Sequence, residues 1–243
     1  MIKKRKTKKI IKKDNFIYKN FKLALTYLKK SKNYIWVSFI LFMLISIFGY
    51  FFPIFFKKEI MQLIENLINQ TAGLNNFELI LFIINNNMMS SFYGLILGIF
   101  LGIIPLGIIL INGYVLGFVA NKAVNSGGIL ILWKLFPHGI FEIPAVMISI
   151  GLGLKIGILL IKNCILFYNP KIKKSFLYFL ILISIILFII SFPIIILVTL
   201  FNKQLRNKLS MNLIESIKVF FLIILPLLII AGIIEGSLIW LFR

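Results

Sequence analysis

The feature that most limits the fold of this chain is a series of apolar stretches, each long enough to cross a bilayer. A hydrocarbon core about 30 Å thick needs about 20 consecutive apolar residues in a helix. Residues 34–56, 176–201 and 217–242 reach that length with at most two charged residues each. The short alternating segments typical of a membrane β-barrel are absent from the sequence. We therefore predict an all-α fold, a polytopic transmembrane helical bundle with about five full spans plus short re-entrant or interfacial helices.

Positive charge is concentrated at the N-terminus. The formal net charge is +20, and 13 of the 27 Lys and Arg residues fall within residues 1–32. Because this pattern matches the positive-inside bias, we expect a multi-pass cell membrane protein with a cytoplasmic N-terminus. We expect the lipid bilayer as a partner, with anionic lipids at the basic N-terminus. Nucleic acid is not an expected partner, because no folded soluble module remains to bind it.

Two regions follow from the charge pattern. Residues 1–33 are predicted to form a basic cytoplasmic tail with an amphipathic interfacial helix, and residues 34–243 a single transmembrane domain. Within the first region, residues 1–15 are expected to be disordered. The apolar and lysine-rich sides of residues 16–32 fit a helix lying in the headgroup plane, or equally a solvated juxtamembrane helix.

Two apolar segments in the first half of the chain are interrupted. Residues 77–87 (FELILFIINNN) are too short to cross, so we predict a helix on or dipping into the membrane that ends at the three asparagines. Within residues 92–120, Pro105 is expected to kink or split a long helix. The same segment has glycines four residues apart, which permit close helix packing: Gly94, Gly98 and Gly102. An isologous dimer through that face is one option left open.

A third interruption is predicted near the middle of the chain. Residues 127–136 are too short to span, the sequence PHGIFE follows, and Pro144 is well placed to begin a helix that ends near Lys162. A broken element of this kind has to be buried in protein or line a wet cavity. We assign helix breaks and close packing to six residues: Gly98, Pro105, Gly113, Gly117, Gly139 and Pro144.

Two basic segments give conflicting evidence on topology. Residues 162–174 and residues 202–218 each contain four Lys or Arg residues. The predicted span 176–201, with a kink at Pro193, would place them on opposite sides of the membrane. One of the two would then violate the positive-inside bias.

Ionisable and amide side chains within these apolar segments form the predicted site, a polar intramembrane cluster of His138, Glu142, Glu235 and Asn112. Such groups are costly in lipid and are functional candidates by default. Glu235 could meet His138 or extend to the nearby membrane edge. The alternative for the cluster is a structural staple that satisfies the backbone of a broken helix. Lys155 could extend to an interface or pair with a carboxylate, and we expect the first.

Catalysis and metal binding are not expected. The sequence has one histidine and one cysteine, whereas catalytic zinc needs three protein ligands that usually include several histidines. No serine lies beside His138 in sequence to act as a nucleophile. We therefore predict no catalytic residue, no metal site, no cofactor and no enzymatic activity.

Four sequence blocks resemble the stage II sporulation protein M family of integral membrane proteins. They are Asn85 and Asn86 before a glycine-rich span, the segment GIFLGIIPLGIILINGYVLGF, the segment PHGIFEIPA, and PLLIIAGIIEG with Pro226, Ala231 and Glu235. The resemblance covers about residues 75–240. The namesake protein is thought to hold peptidoglycan-degrading partners at a membrane, so the resemblance implies a membrane-embedded assembly partner rather than a hydrolase.

Two functions therefore remain open. The first is a membrane scaffold or assembly protein that organises partner proteins, either other membrane proteins or further copies of this chain. The second is a transporter or channel-like permease with an embedded His/Glu site. A water-filled cavity at Glu142 would favour transport, and a dry cluster bonded to broken backbone would favour a staple.

Overall fold

A computed structural model describes the backbone of residues 2–241 and the side chains of residues 16–132, 139–167 and 169–241. Within residues 2–241 the chain is helical and contains no strand. The helices are α1 (Ile2–Phe51), α2 (Lys57–Thr71), α3 (Asn76–Ile96), α4 (Ile103–Gly127), α5 (Phe136–Tyr168), α6 (Lys174–Ile186), α7 (Phe188–Phe201), α8 (Lys203–Val219) and α9 (Leu225–Leu241). Two 3₁₀ segments precede α4 and α5, and a π-helical turn, Phe220–Ile224, joins α8 to α9.

Five helices are long and apolar enough to cross a membrane, which confirms the predicted fold class. They are Phe16–Phe51, Asn76–Ile99, Ile103–Gly127, Gly139–Phe167 and Lys203–Leu241. The chain is therefore a multi-pass membrane protein. One of these segments, Asn76–Ile99, was not predicted as a full span, and the predicted span 176–201 forms two shorter helices.

Helix α1 is continuous from the basic N-terminus through the first span. Its backbone is helical from Ile2, where we expected disorder over residues 1–15. From Phe16 to Phe51 it extends 36 residues, about 54 Å, which is longer than a hydrocarbon core about 30 Å thick. Ala24 and Tyr27 are buried against the bundle, so this part of α1 packs on other helices.

Helix α3 passes through the three asparagines without a break, so the predicted stop at residues 85–87 is wrong. The helix begins at a capping box in which the Asn75 side chain accepts from the Glu78 N–H and the Glu78 carboxylate accepts from the Asn75 N–H. Such reciprocal capping satisfies two backbone donors. The asparagines are tolerated inside the helix because tertiary packing outweighs a weak intrinsic preference.

A tight reversal, and not a kink in one helix, separates α3 from α4. Leu101 (φ 53°) and Gly102 (φ 80°) both adopt left-handed backbone conformations. Pro105 follows in the first turn of α4, where its missing N–H has no helical partner to lose. The predicted split near Pro105 is therefore present, a few residues earlier than the proline itself.

The predicted break within PHGIFE is also displaced. Helix α4 ends before Gly128, whose φ is 76°, and a 3₁₀ segment, Ile129–Leu135, leads into α5. Helix α5 then continues for 33 residues with Pro144 inside it, so Pro144 does not begin the helix. A proline removes one backbone hydrogen bond, and the packing of so long a helix compensates for that loss.

Residues 176–201 form two helices that meet at a sharp bend. Helices α6 and α7 are bent by 111°, and the bend lies at Leu187 instead of at Pro193. The Leu187 N–H donates to the Ile183 carbonyl across the end of α6, and the Ser191 hydroxyl donates to the Ser184 carbonyl. These bonds satisfy backbone groups that a bend would otherwise leave free.

Glycines bring α3 and α5 into backbone contact. A Cβ on Gly98 would collide with the Gly153 carbonyl oxygen, and a Cβ on Gly153 would collide with the Gly94 carbonyl oxygen. Gly157 likewise packs on the backbone of Gly102. The small-residue face is thus occupied within the chain, so a dimer through that face is excluded.

A second glycine contact joins α1 and α4. A Cβ on Gly117 would collide with the Ser46 carbonyl oxygen, and one on Gly113 would lie 3.1 Å from the Phe42 carbonyl oxygen. The Tyr114 hydroxyl donates to the Phe52 carbonyl at 2.6 Å, just beyond α1. Close backbone approach of this kind is how helices associate where lipid removes the hydrophobic driving force.

Candidate functional site: a polar cavity between five helices

A cavity of about 280 Å³ lies among α1, α3, α4, α5 and α9. Its volume leaves room for several water molecules. The polar side chains that line it come from four of these helices: Asn87 and Ser90 from α3, Asn112 from α4, Glu142 from α5 and Glu235 from α9. The remaining wall is apolar and includes Phe42 of α1.

The two carboxylates lie near the ends of their helices. Glu142 lies within two turns of the start of α5, and Glu235 within two turns of the end of α9. Helix α9 approaches α3 closely because Gly232 and Gly236 pack against Ile84 and Ile80. Gly236, next to Glu235, lets α9 approach α3 closely, which places the Glu235 carboxylate near the polar residues of α3.

Neither carboxylate is bonded within the described side chains. Glu142 and Glu235 make no hydrogen bond or ion pair there, and both are partly buried. Among the residues whose side chains are described, no lysine or arginine lines the cavity. Two unpaired carboxylates with amide and hydroxyl oxygens nearby suit a proton or a cation, because oxygen is the ligand that hard cations prefer. Among the described residues, no group of three or more His, Cys, Asp or Glu could hold a metal ion.

The structure brings together three of the four residues predicted for the site. Glu142, Glu235 and Asn112 line one cavity, although they are far apart in sequence. The side chain of His138 lies outside the described residues, so its part in the site stays a prediction. The sequence did not indicate Asn87 and Ser90, since the asparagines were assigned to a helix end.

The residues predicted to break or pack helices have distinct positions. Gly98, Gly113 and Gly117 lie at helix contacts, and Pro105 is buried in the first turn of α4. Gly139 lines the polar cavity. Pro144 is exposed and lines a neighbouring apolar groove.

A second polar cluster surrounds Lys155, which we expected to extend to an interface. That prediction is wrong, because Lys155 is only 8% exposed. Its ammonium donates to Ser31 Oγ at 2.9 Å and lies 3.6 Å from the centre of the Tyr27 ring. The Tyr27 hydroxyl reaches α8, where it donates to Asn212 Oδ1 at 3.0 Å and lies 3.2 Å from Ser216 Oγ. Three helices therefore meet around one buried ammonium.

The sequence contained a signal for this Lys155 cluster. Tyr27 and Ser31 are one helical turn apart on α1, and Asn212 and Ser216 are one turn apart on α8. Residues four apart share a helix face. Polar pairs on the same face of two helices indicate a shared buried partner, which here is Lys155.

Comparison with known proteins places this chain in a family. A family described as stage II sporulation protein M matches residues 38–238, which include all five spans at least in part. An uncharacterised protein of Methanocaldococcus jannaschii is 33% identical over 159 residues, which are 63% of this chain and 70% of that protein. No solved structure matches the chain. The chain belongs to the stage II sporulation protein M family of membrane proteins.

Proposed function

We propose that this chain is a permease-like membrane protein that binds a proton or a cation between Glu142 and Glu235. The observation that carries the proposal is the 280 Å³ cavity lined by both carboxylates. A structural staple would have its carboxylates bonded to helix backbone, and neither carboxylate has such a bond among the described residues. Unbonded ionisable groups facing a cavity at membrane depth are typical of ion and proton pathways.

Flux into proteoliposomes tests this function. We expect rubidium or proton flux above that of protein-free liposomes, and Glu142→Gln and Glu235→Gln should each lower it by about tenfold or more. Glutamine keeps the size of the side chain while removing its charge. Glu65→Gln on the exposed surface of α2 is the matched control and should leave flux unchanged. Flux equal to that of empty liposomes, or unaffected by both substitutions, would contradict the proposal.

A scaffold role is the second candidate, and the family match favours it. Namesake members are thought to hold partner proteins at a membrane, and the match covers almost the whole membrane domain. A non-enzymatic protein that organises partners needs rigid helices, and the glycine contacts of α3 with α5 supply that rigidity. Under this role, Glu142→Gln would lower thermal stability and the recovery of cross-linked partners together, and no flux would be detected.

We also propose that the chain lies in the cell membrane with its N-terminus on the cytoplasmic side. Helices α6 and α7 have 13 and 14 residues, about 20 Å each, and neither alone crosses a core of about 30 Å. With their bend of 111°, they form a re-entrant element that enters and leaves on one side. Residues 162–174 and 202–218 then both lie with the N-terminus, which satisfies the positive-inside bias.

Cysteine labelling tests this topology. The natural Cys164 is buried, so single cysteines introduced at exposed positions can be read separately. Lys171→Cys and Arg206→Cys should react with a membrane-impermeant maleimide from the same side as Lys19→Cys. Asn66→Cys on α2 should react from the opposite side. Labelling of positions 171 and 206 from opposite sides would show that α6 and α7 cross the membrane.

A further inference from the structure

An apolar groove adjoins the polar cavity. The groove has a volume of about 440 Å³ and lies among α1, α4 and α5. Leu116, Gly139 and Ile143 line both the groove and the polar cavity, so these residues form a shared wall between the two spaces. Volumes of this order are typical of sites for small molecules.

The shared wall is thin at Gly139. This residue has no side chain, and among the described residues a Cβ placed there would meet only the Ile143 side chain, at 3.6 Å. The side chains of Leu116 and Ile143 complete the shared wall. Leu116 can change rotamer without a shift of the helix backbone, whereas the β-branched Ile143 keeps one strongly preferred χ1 rotamer in a helix.

The outer rim of the groove is apolar and exposed, and it lies in the first turns of a candidate membrane span. Ile140 is 60% exposed, and Pro144 next to it is also exposed, on a helix long and apolar enough to span the membrane. Pro144 has no N–H to donate to the Ile140 carbonyl. The rim therefore combines apolar surface with one carbonyl oxygen that has no helical partner.

We propose that the joined spaces bind a single-chain amphiphile with an ammonium headgroup, which enters sideways from the lipid. The headgroup lies between Glu142 and Glu235, and the hydrocarbon chain lies in the groove. This assignment rests on the proposed function, since it names the substrate class of the same cavity. Charge determines the class of headgroup, because two carboxylates line the cavity and, among the residues whose side chains are described, no lysine or arginine lines either space to neutralise a phosphate or sulfate.

Binding of spin-labelled dodecylammonium to the full chain in nanodiscs tests the assignment. An immobilised spectral component should appear with wild type, and the double substitution Glu142→Gln with Glu235→Gln should weaken binding by about tenfold or more. Spin-labelled dodecyl sulfate is the control for headgroup charge and should show no such component.

A variant that fills the groove distinguishes the site for the hydrocarbon chain from the site for the headgroup. Ala120 lines the groove and not the polar cavity, so Ala120→Phe should weaken dodecylammonium binding while rubidium binding is retained. Ala123→Phe, one turn away in α4 and outside both spaces, is the matched control. Thermal unfolding of both variants checks that they are folded.

The outcomes distinguish the two proposals. Rubidium binding without dodecylammonium binding would overturn this assignment and leave the proposed function standing. Equal binding of dodecyl sulfate, or binding unaffected by both the double substitution and Ala120→Phe, would also overturn the assignment. If folded wild-type protein binds neither rubidium nor dodecylammonium and shows no proton flux, both proposals are contradicted.

Discussion

Two ionisable residues of helix α5, Lys155 and Glu142, have surroundings that are opposite in kind. Lys155 is enclosed, with its ammonium bonded to Ser31 and placed over the Tyr27 ring. About 20 Å away along the helix, Glu142 faces a 280 Å³ cavity together with Glu235. Both residues would be functional candidates on sequence alone. Geometry assigns Lys155 to holding helices together and Glu142 to binding.

Lys155 and Glu142 show that the bonds of a buried ionisable group indicate its role better than its burial does. A buried charge whose partners lie on neighbouring helices ties those helices together, and removing a partner leaves it uncompensated. A carboxylate that faces an open volume without a bond is available to a ligand. Substitutions around Lys155 and at the two carboxylates of the cavity distinguish these two roles.

The largest expected effect is at the glycine contact that positions α5 against α3. Gly98→Ala should lower the free energy of unfolding by about 3 kcal/mol or more, because the new Cβ meets the Gly153 backbone and the helices must separate. Both regions of α5 would be displaced. Gly107→Ala is the matched control, since a Cβ there meets nothing within 4 Å. Equal stability of the two variants in thermal unfolding would show that the contact does not hold the helices.

Loss of the Lys155 acceptor should be the next largest effect. Ser31→Ala removes the only hydrogen bond that the described residues give the ammonium, and should lower the free energy of unfolding by about 2 kcal/mol. Adding Lys155→Met should recover much of the lost free energy of unfolding, because the double variant no longer buries an ammonium that lacks an acceptor. A double variant less stable than Ser31→Ala would mean that Lys155 stabilises the bundle through other contacts.

Removal of the Tyr27 hydroxyl should have a smaller effect. Tyr27→Phe keeps the ring beneath the Lys155 ammonium but loses the bonds to Asn212 and Ser216. The free energy of unfolding should fall by about 1 kcal/mol. If Tyr27→Phe lowers the free energy of unfolding by more than Ser31→Ala does, the main link between α1 and α8 is the Tyr27 hydroxyl and not the Lys155 ammonium.

The smallest effect on stability is expected in the polar cavity. Glu142→Gln and Glu235→Gln should change the free energy of unfolding by less than about 1 kcal/mol, because neither carboxylate has a bond to lose among the described residues. Both should nonetheless abolish cation binding. If either variant is as unstable as Ser31→Ala, that carboxylate holds helices together as Lys155 does, and the two regions do not differ in role.

The sequence was sufficient to predict the fold class and to select Glu142, Glu235 and Asn112. Apolar length alone indicates spans, and polar residues within spans are conspicuous. It was not sufficient to locate helix ends. Local propensity favours a stop at Asn85–Asn87, whereas tertiary packing keeps α3 continuous. The position of the α6–α7 bend likewise depends on contacts of Leu187 and Ser191 that no local pattern reveals.

Whether a cation binds between the two carboxylates is decided by a crystal structure in a lipidic phase containing rubidium, with anomalous data. We expect an anomalous peak between Glu142 and Glu235 that is absent when both are replaced by glutamine. A cavity without rubidium, with both carboxylates bonded to helix backbone, would contradict the claim and identify the cluster as a structural staple.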